Sequence, residues 1–152
     1  MALSTQQFFA QAMQPACDEL IKAYESLPED KRDWSPGGSA RTAQDMLAEC
    51  ALLTDMTAIL KTKSFPAEFS MENYMAMKAQ TAQKDWPALK QMLKDSVAKS
   101  IAAIQELPDE DLSVMIQMPW GPMAMTEVVA YPYWNMKYHE GQINYLAAIL
   151  GV

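Results

Sequence analysis

Glycine is scarce in this chain, 5 residues in 152, cysteine is limited to 2, and there is a single histidine. Few glycines, with half of the residues hydrophobic, argue against a disordered chain or a turn-rich sandwich. The two cysteines, Cys17 and Cys50, have no metal or redox spacing between them, which leaves buried reduced thiols as their reading. Positive charge is also short. Lys and Arg number 12 against 19 Asp and Glu, a formal net charge of −7. That balance repels phosphate backbones, and no local basic cluster offsets it, so nucleic acid is not expected as a partner. No run approaches the ~20 apolar residues of a membrane span. The opening MALSTQQFFAQAM has neither a basic n-region nor a long apolar h-region, so no secretion signal is expected either. These absences together predict a soluble, cytoplasmic protein with no membrane partner. No serine elbow or placed acid accompanies the histidine, so a Ser-His-Asp mechanism has little support.

What the sequence does contain is helical periodicity. A length of 152 suits one domain, 1–152, with a real core. From Ser4, with Gln7 placed for a capping box, Phe9, Met13, Ala16, Leu20, Tyr24 and Leu27 recur at helical steps, interrupted by Pro15. A linker with Trp34 and a Gly-Gly pair follows, and Trp34 reads either as a lid over the bundle end or as a pocket wall. A second helix is expected from Thr42 to about Lys63, with a row Met46, Glu49, Leu53, Met56, Leu60. SFPAEFSMENYMAMKAQ reads as a long connection with one short helix begun by Ser70. A third helix starts near Asp85, shows Leu89, Leu93, Val97, Ile101 and Ile104 on its inner face, and stops before Pro108. LSVMIQM and PWGPMAM form either a small hairpin or an extended loop turning at Trp120 and Gly121. The fourth helix opens at Thr126, contains Pro132 and ends at Gly151. Four helices of roughly 20 residues, about 30 Å each, make an all-α four-helix bundle with long connections. The 13 methionines read as core filling.

The last helix carries the chemistry. Asn135, His139 and Gln142 fall at i, i+4 and i+7 on one face, and the row continues through Leu146 and Leu150. Polar groups on a core face cost free energy unless paired. Glu49 sits in the middle of another apolar row, where a carboxylate needs a partner, a metal or a proton. Glu49, Asn135 and His139 could hold a divalent ion, although Asn is a poor ligand for zinc or nickel.

The PWG turn, the Thr that opens the helix and NMKYHEGQINYLAAILG resemble the C-terminal signature of DinB-like (damage-inducible DinB) proteins. In that family a His-x3-His pair followed by Gly-Gln lies on the last helix. DWSPGGSARTAQDMLAE resembles the family's Trp-Pro loop and second helix, where the first metal histidine comes seven residues after the opening Ser or Thr. The resemblance sets Glu49 and Asn135 at two of the three metal-histidine positions and keeps the third as His139. It implies an up-down-down-up four-helix bundle, a homodimer, and metal- and thiol-dependent transferase or isomerase chemistry of the kind found in mycothiol-dependent maleylpyruvate isomerase.

Three readings follow. In the first, Glu49 and His139, with Asn135 auxiliary, hold zinc, nickel or manganese in a transferase, isomerase or hydrolase. In the second, no metal is used, and Glu49, Asn135 and His139 recognise a small molecule or thiol in a pocket with Trp34, Trp120, Tyr138 and Gln142. In the third, Glu49 and His139 are a buried hydrogen-bonded pair that Asn135 completes.

Overall fold

The computed structural model describes residues 2–152. Its elements in chain order are α1 (Thr5–Ser26), α2 (Ala43–Leu53), α3 (Thr57–Thr62), α4 (Met71–Thr81), α5 (Trp86–Gln105), β1 (Met115–Met118), β2 (Gly121–Ala124) and α6 (Met125–Leu150). The capping residues act as the sequence suggests. Ser4 Oγ accepts from the Gln7 N–H while Gln7 Oε1 accepts from the Ser4 N–H. Thr42, Ser70 and Asp85 each accept a backbone N–H three residues on. In α6 the start is one residue earlier than expected, at Met125, and Glu127 takes the Ala124 N–H at 2.7 Å.

The expected second helix is two helices. α2 stops at Leu53 and α3 resumes at Thr57. Thr54 Oγ1 donates back to the Cys50 carbonyl at 2.6 Å, and a hydroxyl so bonded competes with the helical ladder. The backbone groups released at the break are satisfied from another helix. Ser100 of α5, fully buried, accepts the Met56 N–H at 3.0 Å and donates to the Thr54 carbonyl. Asp55 Oδ1 then accepts the Thr57 N–H to restart the helix. The apolar row continues across the break, so periodicity alone does not reveal it.

Side-chain pairings fix the topology. Phe9 meets Tyr133 and Glu19 meets Lys137, so α1 and α6 run the same way. Tyr24 packs against Trp86 while Gln6 donates to the Leu107 carbonyl, so α5 runs opposite to α1. Gln44 reaches the Lys84 carbonyl and Ser96 reaches that of Ala51, so α2 and α5 are parallel. The result is an up-down-down-up bundle of α1, α2, α5 and α6. Met13, Leu20, Tyr24, Leu89, Leu93, Ile104, Met136 and Ile143 are among its buried centre. β1 and β2 pair as an antiparallel hairpin with Met118 opposite Gly121, which leaves Pro119 and Trp120 as the turn. Gly121 adopts φ +128°, a conformation that suits glycine. Ile116 and Met118 face inward and set the hairpin across the end of the bundle. Among the described residues no helix is long and apolar enough to cross a membrane.

Candidate functional site

A chain of alternating charge runs from the surface of α4 to the core of α6. Lys78 Nζ lies 3.0 Å from Asp45 Oδ1, and Asp45 Oδ2 accepts from Arg41 Nε. Arg41 Nη1 lies 2.8 Å from Glu49 Oε2, and Glu49 Oε1 accepts from His139 Nε2 at 3.0 Å. His139 Nδ1 is 2.7 Å from Gln142 Oε1. The two contacts hold the imidazole ring between Glu49 and Gln142. Burial works to raise the Glu49 carboxyl, but the His139 hydrogen bond and the Arg41 charge outweigh it and hold it below the usual carboxylate range. Burial also works against the charge of Arg41, and Asp45 and Glu49 more than restore it. Glu49 is therefore a paired carboxylate.

Asp45 and Glu49 stand one turn apart on α2, and Arg41, which precedes the Thr42 cap and lies outside the helix, folds back along it to reach both. Asn135 is buried on α6 and lies against Cys50, with Nδ2 3.8 Å from Sγ and the Cys50 thiol 4.0 Å from the Asn135 carbonyl. The Cys50 thiol is pushed far up by burial and then by the Glu49 charge, and burial lifts Cys17 to about 11. Both thiols stay protonated, so neither is poised as a nucleophile.

Glu49 also forms part of the wall of a cavity of about 650 Å³ between α2, α3, α4 and the hairpin. Its other walls include Phe65, Phe69, Tyr74, Trp120 and Tyr131, with Met56, Met77 and Met123 among the methionines. His139, Asn135 and Gln142 lie behind Glu49 and do not line the cavity. Trp120 does line it, 62% exposed at the hairpin turn, with Nε1 donating to Met123 Sδ. Trp34 packs half-buried against the core away from the cavity, and Tyr138 lies on the outer face of α6. Sequence reasoning missed Arg41, Tyr74 and Tyr131. The two tyrosines stand on α4 and α6 and come together only through the fold. Burial raises both phenols, with the Glu49 charge adding to it, so they remain O–H groups.

The donor set does not fit a divalent metal. An ion between Glu49 and His139 would have to displace the hydrogen bond from His139 Nε2 to Glu49 Oε1 and sit beside the Arg41 guanidinium, 2.8 Å from Glu49 Oε2. The Asn135 amide nitrogen is turned to a thiol, and the Arg41 guanidinium already supplies positive charge against Glu49. Among the described residues no three His, Cys, Asp or Glu side chains gather as an ion-holding group.

The DinB family model matches residues 1–152. No curated protein matches the sequence. Among solved structures, YfiT from Bacillus subtilis, described as "a probable metal-dependent hydrolase with an unusual four-helix bundle topology", superposes with a TM-score of 0.80 at 14% identity. That alignment covers 99% of this chain and 91% of YfiT. A mycothiol-dependent maleylpyruvate isomerase superposes with a TM-score of 0.73 at 14% identity, over 91% of this chain and 60% of the isomerase. The DinB-like YjoA, also from Bacillus subtilis, gives 0.65 at 13% identity, over 95% and 92% of the two chains. At these identities the likeness is one of fold.

Proposed function

The chain belongs to the DinB family, and on that premise we propose that it is a metal-free member that binds a small molecule in the cavity beside Glu49. One observation carries the reading: the Arg41 guanidinium lies 2.8 Å from Glu49 Oε2, where positive charge in a metal-using relative would be supplied by an ion. The Arg41–Glu49–His139–Gln142 chain then acts as a fixed polar floor behind an otherwise apolar and aromatic cavity. A cavity of about 650 Å³ suits a ligand of drug-like size. The test is elemental analysis of protein purified without a metal-affinity tag, with thermal melts in excess zinc, nickel and manganese. Substoichiometric metal and an unmoved melting temperature are expected. An ion at 1,000-fold excess over its dissociation constant stabilises the folded state by about 4 kcal/mol. A rise of several degrees in the parent protein would therefore overturn the reading in favour of a metal-dependent transferase, isomerase or hydrolase.

We also propose that two copies pair through the outer face of α6. Trp134, Tyr138 and Tyr145 are exposed there at spacings of four and seven residues with Gly141 between, the seam of a two-helix contact. Trp134 stacks on Tyr138 with ring centroids 5.2 Å apart, so the patch is preformed. Aromatic residues contribute most of the energy of such a contact. Light scattering is expected to give twice 17.0 kDa for the parent. It is expected to give the single mass for Trp134→Glu with Tyr145→Glu, and a parent at the single mass at micromolar concentration would reject the pairing.

A further inference from the structure

We propose that the ligand of the cavity is a cationic amine with an apolar body, its alkylated ammonium seated among aromatic rings and carboxylates. This rests on the reading of the cavity as a ligand site and adds the ligand's chemical class. The walls hold three carboxylates, Glu49, Asp55 and Glu68, and no Lys or Arg. Two of the three have cationic neighbours outside the lining. Arg41 sits against Glu49, and Lys99 Nζ is 3.7 Å from Asp55. With those two charges set against three carboxylates, one negative charge remains uncompensated, and it favours a cation over an anion.

The aromatic residues point to the kind of cation. Trp120, Phe65, Phe69 and Tyr74 follow one another around the wall, with successive centroids 6.0, 4.9 and 6.3 Å apart. Phe65 meets both Phe69 and Trp120 edge to face, at 72° and 70°, so the rings turn different faces and form a bent wall rather than a flat stack. Ring faces carry the negative end of the aromatic quadrupole and attract cations, most strongly those whose own hydration is weak. An alkylated ammonium has that property and a primary ammonium or a metal ion does not. Polarisable methionine sulfurs at the same wall suit a soft, methylated group as well. Tyr74 and Tyr131 remain protonated phenols, so they add dipoles without adding to the charge. An anionic substrate such as a dicarboxylate would enter a lining that offers it no basic side chain.

The test uses three probes of one size, titrated by calorimetry. They are 3-hydroxyphenyltrimethylammonium, its neutral isostere 3-tert-butylphenol, and 3-hydroxybenzoate. The cation is expected to bind at least about tenfold more tightly than the isostere, with the anion weakest. Trp120→Leu and Glu68→Gln are surface substitutions whose folding is checked by melting, and each is expected to reduce the cation-to-isostere ratio severalfold. Equal or tighter binding of the isostere would overturn the ammonium assignment while leaving the cavity a ligand site. Preference for the anion, failure of the cation to bind, or an unchanged ratio in both variants would also overturn it. A metal-dependent rise in melting temperature tests the metal-free reading separately, because it does not depend on which probe binds.

Discussion

Where α1 lies against α5 and α6, side chains fill the space between helices, whereas α2, α3, α4 and the hairpin surround a cavity of about 650 Å³. The filled side is built from helices of 20 to 26 residues and the hollow side from helices of 6 to 11. Length matters physically, because a long amphipathic helix presents several turns of apolar surface to its neighbours and a short one presents one or two. α4 buries only Thr81 and leaves Met71, Met75 and Met77 about half exposed. It is held over α2 by polar contacts instead, from Lys78 to Asp45 and from Gln44 to the Ala82 carbonyl. Local stability is lowest where buried apolar contacts are few, and here that part surrounds the cavity.

The largest effect should separate the two sides outright. Leu93 is fully buried in the filled side, and Leu93→Ala is expected to cost about 2–5 kcal/mol in urea denaturation. Met71→Ala, on the exposed face of α4 beside the cavity, is expected to change stability by less than about 0.5 kcal/mol. Comparable costs at the two positions would mean that the cavity closes on Met71 in solution and that the contrast between the sides is false.

The same contrast governed what could be read from the chain. On the filled side, rows such as Leu89, Leu93, Val97 and Ile104 carry both the helix and its inner face, and the caps at Ser4 and Asp85 mark the starts. On the hollow side, local signals failed where a distant residue decided the outcome. The break after Leu53 depends on Ser100, forty-odd positions away in sequence, whose hydroxyl serves both sides of the gap. Glu49 and His139 were legible as polar residues on apolar rows, and burial cost asked for a partner without choosing among a metal, a ligand and each other. Arg41 was hidden differently. It precedes the cap at Thr42, where a charged residue looks like solvated linker, and only the fold turns it along α2 toward Glu49.

Removing the carboxylate that joins the two sides should have the next largest effect. Glu49→Leu leaves Arg41 and the buried His139 without their shared partner, and a cost of about 1–3 kcal/mol is expected. The sign with pH follows from the depressed carboxyl. Its stabilising contribution is complete above the unfolded-state range near 4.3 and is lost as pH falls through the lower folded-state value. Acid unfolding of the parent is therefore expected to steepen below about pH 4.5, with a shallower slope in Glu49→Gln. Parallel pH profiles would mean that Glu49 is not held ionised by Arg41 and His139.

The smallest effect concerns the other end of the same chain of charges. Lys78 reaches from α4 to Asp45, with its side chain 12% exposed and that of Asp45 31% exposed. A partly solvated ion pair of this kind is worth about 0–1 kcal/mol, since water competes for both groups and two flexible side chains must be ordered. Lys78→Met keeps the apolar stem and removes the charge, so the global midpoint in urea is expected to move little. α4 has few buried apolar contacts to fall back on, and its anchoring by Lys78 is a local matter. Amide hydrogen exchange should therefore rise across Met71–Thr81 while protection in α5 stays unchanged. Faster exchange in both helices would mean that α4 unfolds together with the bundle and forms no separate flap over the cavity. Unchanged exchange in α4 would shift its anchoring to Gln44, whose amide holds the Ala82 carbonyl at 2.8 Å.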